Sequence, residues 1–263
     1  MVERVAAALL LLAATLAAPA VAGPVVSIII DDLGDRAADR AVLDLPPAVA
    51  LSILPHTPYG ARLARAGAER GHEVLLHLPM EAKRGRHGGP GMLSADLDRD
   101  ELHARLFRAL ASVPGAQGVN NHMGSLLTRQ PRQMRWVMAA LKAYGHLFYV
   151  DSRTTHETVA FQVAGDFGLR RAERDRFLDH VVAPGAIRAA LLGLVEEARA
   201  KGSALAIGHP HPETLAVLAE MLPEFEALGV ELVPVRELIA RRDDAGRVRV
   251  SALPAAPASA AGK

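Results

Sequence analysis

Several apolar runs in this chain end in acids or histidines. Asp31 and Asp32 follow Val-Ser-Ile-Ile-Ile, His77 sits in Leu75-Leu76-His77-Leu78, His122 closes Asn120-Asn121-His122, Asp151 follows Phe-Tyr-Val, and His209 follows Ala-Ile-Gly. One carboxylate and two imidazoles can hold a divalent metal such as Zn²⁺ while leaving a position open for water. A spare carboxylate can take that water's proton, and a further imidazole, titrating near neutrality, can protonate a leaving group. Such a set hydrolyses acyl bonds. There is no cysteine, so thiolate metal sites and disulfide frameworks are excluded.

Each motif also has a plainer reading. Successive strand residues face opposite sides, so Asp31 and Asp32 cannot share a role unless the strand ends between them, and one base plus one ligand is the natural division. They could equally form a turn before Gly34. His77 could be a satisfied core histidine, and Glu81, four residues on, is separated from it by Pro79, which breaks any regular helix begun earlier. Two asparagines, His122 and Ser125 beside glycines are harder to explain by packing, which makes Asn121, His122 and Ser125 candidates. Asp151 and Arg153 are either supports for a catalytic group or a surface ion pair. His209, nearest its strand end, is a better acid than His211, which lies between two prolines.

The elements that must position these residues alternate. Short Val-, Ile- and Leu-rich runs at Val25–Ile30, Ala48–Ile53, Glu73–Leu76, Gly118–Asn120, Leu147–Val150, Ala204–Ile207 and Glu231–Val233 read as buried parallel strands. Helical stretches fall at Pro58–Arg70, Asp98–Ser112, Gln130–Tyr144, Ala186–Lys201 and Glu213–Leu228, with Asp98 and Glu101 forming a capping pair. This is the pattern of an α/β fold, and in a closed barrel the strand ends share one rim. Lys83–Leu97, rich in glycine, reads as a lid or substrate loop, and Thr154–His180 has room for a strand and a short helix.

Residues 1–22 read as a secretory signal: a charged start, an alanine-rich apolar run and the small-residue ending Ala-Val-Ala. The competing reading is an uncleaved anchor, since the run approaches the roughly 20 residues that span a bilayer. The ending favours cleavage after Ala22, leaving no stable membrane span and a periplasmic or secreted protein. Residues 23–242 then form one domain, and 243–263 an Ala/Pro-rich disordered tail. The formal charge of +1, without a dense basic stripe, argues against nucleic acid as a partner.

Taken in order, Ile-Ile-Ile-Asp-Asp-Leu-Gly, His-Leu-Pro-Met-Glu, Asn-Asn-His-Met-Gly-Ser, Val-Asp-Ser and Ile-Gly-His-Pro-His resemble the divergent polysaccharide deacetylase family, from about Val25 to about Leu238. The resemblance implies a distorted, NodB-like (β/α) barrel of about seven parallel strands. It also implies an exported metal-dependent hydrolase, with zinc the usual metal, acting on an acetylated sugar. The family's first motif maps the base onto Asp31 and a ligand onto Asp32, and its late histidine maps the acid onto His209. The broader superfamily has a second histidine where this chain has Glu81. The resemblance thus leaves the second histidine to come from elsewhere: the expected metal set is Asp32 and His77 with His122, Glu81 being the runner-up, and Asp151 or Arg153 are the candidates to substitute for the superfamily's arginine and aspartate motifs, which have no clean counterpart here. The rival class is a non-catalytic glycan-binding or envelope-scaffold protein on the same barrel; a metal-dependent esterase acting on a non-sugar ester is more distant.

Overall fold

The computed structural model describes residues 23–83, 85 and 88–251. The expected signal sequence, residues 1–22, lies outside them. Among the described residues nine strands form one parallel sheet. β1 (Val25–Leu33), β2 (Ala50–Ile53), β3 (Val74–Met80), β4 (Gly118–Met123) and β5 (Phe148–Asp151) pair in sequence order, and β8 (Ser203–Gly208) lies on the other side of β1. The intervening helices are α1 (Gly60–Glu69), α2 (Arg99–Ser112), α3 (Pro131–Tyr144), α4 (Ala160–Asp166), α5 (Pro184–Lys201) and α6 (Pro212–Met221). As expected, Asp98 caps α2, its carboxylate accepting from the Glu101 amide at 2.8 Å.

Two strands of the Thr154–His180 stretch were not expected individually. β6 (Arg171–Glu173) pairs with β5, and β7 (Arg176–Phe177) pairs with β8. Between them the Arg174 amide donates to Asp151 and the Asp175 amide to Leu205. The chain thus crosses the seam and changes partners within a few residues, joining the two ends of the sheet into a distorted barrel. Such short segments carry almost no periodic signal. β9 (Glu231–Leu232), which was expected, pairs only with the start of β1.

Two apolar layers follow from strand alternation. One face of the sheet, including Ile28, Ile30, Leu76, Leu78 and Val119, packs under the helices. The other fills the barrel's base with Val25, Ile29, Leu75, Val150, Leu205 and Ile207. α7 (Val235–Ser251) closes that base through Val235, Leu238 and Ile239. It continues past Arg242, where the tail was expected to start, because the prolines that would stop a helix begin only at Pro254. Residues 252–263 lie outside the described residues. Among the described residues no helix is long and apolar enough to cross a membrane.

If α7 is the plug, Leu238→Ala should lower stability by about 2–5 kcal/mol, as for a fully buried leucine. Denaturant unfolding checks this, and a loss below about 1 kcal/mol would show that the base is closed in some other way.

Candidate active site

Alternation decides which side chains reach the inside of the rim. The inward set that begins with Val25 and Ile29 on β1 continues to Asp31; that of β3 runs from Leu75 to His77; on β4, Asn120 and His122 share this side; beyond β8, Ile207 is followed by His209. The barrel is apolar at its base and polar at its mouth.

Asp32 breaks the alternation. Its φ is +58°, and the pairing of β1 with β2 shifts register between Ile30 and Leu33. This bulge turns Asp32 back toward the side that Asp31 faces, so both carboxylates approach His77 Nε2, Asp32 at 3.1 Å and Asp31 at 3.6 Å. Met123 and Arg153, at the ends of β4 and β5, have φ of 54° and 47°. Left-handed backbone at non-glycine residues costs energy, and at Asp32, Met123 and Arg153 it lies where strands end at the barrel mouth.

Beneath the acids, Asn120 organises the site. Its Oδ1 accepts from Ser52 Oγ at 2.6 Å and from His77 Nδ1 at 2.9 Å, while its Nδ2 donates to Asp31 Oδ1 at 2.8 Å and Ser152 Oγ at 3.3 Å. Because an amide oxygen only accepts, His77 carries a proton on Nδ1 and, when neutral, presents the Nε2 lone pair to the site.

Asp32 Oδ1, His77 Nε2 and His122 Nδ1 stand 2.9, 3.1 and 3.2 Å from one another. The edge between ligand atoms of a tetrahedral zinc with bonds of ~2.0–2.1 Å is ~3.3 Å, so this triangle fits a metal. Asp32 Oδ1 is a buried atom with no well-aligned hydrogen bond among the described residues, which suits an oxygen reserved for a cation. Burial alone would raise the Asp32 pKa; the adjacent His122 and His77 rings outweigh it and hold the carboxyl well below its usual range. Burial would lower the His77 pKa, but the charge of Asp31 and the contact with Asp32 carry it up. The negative field that favours a proton on His77 also favours a metal cation there.

Across the mouth, His209 Nδ1 bonds Asp179 Oδ1 at 2.9 Å, and the His209 amide donates to Asp179 Oδ2 at 2.6 Å. Thr214 Oγ1 donates to the same oxygen at 3.0 Å. His209 Nε2 is left facing the site, 3.9 Å from Asp32 Oδ2. Burial would lower the His209 pKa; the Asp179 hydrogen bond and the charges of Asp31 and Asp32 outweigh it and push it up to about 9. Phe177 stacks on this imidazole with ring centres 6.2 Å apart, and the Arg174 guanidinium lies 3.6 Å over Phe177. A cavity of about 470 Å³ opens above, with Asp32, His122, His209 and His211 in its wall. Gly88, Gly89 and Pro90 of the glycine-rich loop also line it, as a substrate loop would.

The structure therefore brings together Asp31, Asp32, His77, His122 and His209, with His211 at the edge. Other candidates lie elsewhere. Glu81 is not part of the metal triangle: its carboxylate accepts from the Ala95 amide, tying down the loop. Asn121 faces the opposite way from Asn120 and accepts from Tyr149 Oη and the Ser152 amide. Ser125 accepts from the Lys83 amide. Asp151 accepts from the Arg153 and Phe161 amides and Thr158, so it orders the start of α4 rather than orienting a histidine, and Arg153 pairs with Glu173 at 3.4 Å. Asn120, Asp179, Ser52 and Arg174 were not singled out. Parity could have found Asn120, two residues before His122; Asp179 follows β7, which has no readable pattern.

The sequence profile of the divergent polysaccharide deacetylase family matches residues 28–239. The chain belongs to that family. The chain is similar to the uncharacterized protein YibQ of Escherichia coli, 37% identical over 208 residues, which are 79% of this chain and 65% of YibQ. It thus spans slightly less than two thirds of that relative. An uncharacterized protein of Haemophilus influenzae is 35% identical over 193 residues, 73% of this chain and 69% of that protein. The crystal structure of an uncharacterized protein from Agrobacterium tumefaciens aligns with a TM-score of 0.78 and 26% identity, over 82% of this chain and 89% of the other. A mutant of the peptidoglycan deacetylase PdaC of Bacillus subtilis aligns at 0.52 and 10% identity, over 88% and 98%, which shows a shared fold.

Because the His209 pKa is higher in the folded chain, its pairing with Asp179 stabilises fully below the unfolded pKa, and that contribution is lost as pH rises through about 9. Asp179→Asn should bring the titration of His209 down toward the ordinary imidazole value, followed by NMR of the ring. An unchanged titration would mean that Asp179 does not set it.

Proposed function

We propose that this protein is an exported, zinc-dependent hydrolase that removes acetyl groups from a carbohydrate. The observation that carries this reading is the meeting of three metal-donor atoms with a fixed carboxylate, Asp31, and an imidazole biased toward its protonated form, His209. Asp32, His77 and His122 would hold the metal, which when bound would polarise the acetyl carbonyl and make water more acidic.

The chain's own groups divide the proton work. Asp31 is held by Asn120 through Oδ1, which leaves Oδ2 to accept a proton from water. His209 is held through Nδ1 by Asp179, so the proton it delivers to a departing amine or alkoxide comes from Nε2. Its raised pKa keeps it in the acid form at neutral pH. Asn120 fixes the orientation of both Asp31 and His77, so base and ligand keep one relative position. Family membership supports an acetylated carbohydrate as substrate. A periplasmic or secreted location rests on the signal-like residues 1–22.

Acetate release from N-acetylglucosamine oligosaccharides should require metal, stop on chelation and return with zinc. Asp31→Asn and His209→Ala should each lower kcat by about 10²- to 10⁴-fold, the range for loss of a positioned acid or base. Oligosaccharide binding without acetate release by the zinc-loaded wild type would favour the glycan-binding alternative.

A further inference from the structure

A second concavity begins where the catalytic cavity ends. It has a volume of about 310 Å³ and lies between the 3-10 helix Ala37–Asp44 and α1, lined by Arg36, Arg40, Leu43, Tyr59, Arg62 and Leu63. Arg36 belongs to the walls of both spaces, so a chain leaving the catalytic cavity over Arg36 enters the groove directly.

The groove's charge is one-sided. Arg36 uses Nε to pair with Asp39 at 3.1 Å, and that buried carboxylate is also occupied by the Gly34 and Arg36 amides. Arg40 and Arg62 are exposed, and among the described residues neither pairs with a carboxylate. Asp35, the neighbouring acid, lines the cavity and not the groove. Arg40 and Arg62 thus leave two uncompensated guanidiniums on one groove beside the paired Arg36, and their planar forks suit carboxylate or phosphate oxygens. Tyr59, 43% exposed, offers a flat apolar face of the kind on which a sugar ring packs, with a hydroxyl at its edge. The groove's mouth is closely packed: Tyr59 donates its amide to the Gly34 carbonyl at 2.9 Å, and a Cβ at Gly34 would overlap Thr57 and the Gly60 backbone.

We infer that this groove is a subsite for an anionic carbohydrate, so that the preferred substrate is a glycan carrying carboxylate or phosphate groups beside the sugar that loses its acetyl group. The inference rests on the deacetylase reading for the reaction, while the groove's binding role can be measured apart from it.

The probes are an N-acetylglucosamine oligosaccharide and the same chain with part of its primary hydroxyls oxidised to carboxylates. Wild-type protein loaded with zinc should favour the oxidised chain in kcat/KM, through KM, by on the order of tenfold, with the preference shrinking as salt is raised. The double variant Arg40→Ala with Arg62→Ala should lose the preference while turning over the neutral chain as before, and the corresponding lysine variant should keep much of it. Equal use of both chains by the wild type, or a preference that survives in the alanine variant, overturns the groove and leaves the deacetylase reading standing. Fluorescence anisotropy of the labelled oxidised chain separates the two claims. Binding lost only in the alanine variant, with no acetate released from either chain, would uphold the groove and sink the deacetylase reading. Binding to anionic phospholipid vesicles through Arg40 and Arg62, with no preference for the oxidised chain, also overturns the inference.

Discussion

Asn120 sits at the mouth of a barrel whose base is apolar, and its amide makes four hydrogen bonds to side chains from four other elements or their ends: Ser52, His77, Asp31 and Ser152. Buried polar groups must find partners, and leaving one unpaired costs about 1–3 kcal/mol. One residue thus satisfies the hydroxyl of β2, fixes the tautomer of His77 and holds the carboxylate of Asp31. The geometry of the site depends on that amide, because its oxygen can only accept and its nitrogen can only donate. A polar network of this kind is stabilising only when complete.

The second constraint is the backbone at Asp32. A regular strand would send Asp31 and Asp32 to opposite faces, and the helix-packed face is apolar. The bulge and left-handed φ return Asp32 to the mouth, where its Oδ1 meets two imidazole nitrogens. Local strain is sustained by the strands packed on either side, β2 and β8, and yields two neighbouring carboxylates with different surroundings. Among the described residues Asp31 is hydrogen-bonded by an amide, while Asp32 Oδ1 has no well-aligned hydrogen bond.

Much of this was legible in the sequence because parallel strands buried on both faces leave continuous apolar runs, and the residue ending such a run must lie at the rim. All seven expected strands are present, and Asp31, Asp32, His77, His122 and His209 meet at one mouth. What the sequence hid depends on pairing rather than composition. The sequence reading picks Asn121 rather than Asn120, because composition does not say which of the two shares the side of β4 with His122. β6 and β7 are too short for a period, so Asp179, the partner of His209, went unnoticed. Glu81, in reach of His77 by residue count alone, was drawn away by the backbone beyond Pro79 to the Ala95 amide. Asp151 ends its apolar run as Asp31 does, yet its oxygens are taken up by groups at and before the start of α4.

The claim on which the rest turns is that Asp32, His77 and His122 form one metal site. Elemental analysis of protein purified without a metal-affinity tag tests it directly, with the wild type beside Asp32→Ala and His122→Ala. The account predicts close to one zinc per chain in the wild type and loss of it in both variants; metal that is absent from the wild type, or indifferent to both substitutions, would contradict it.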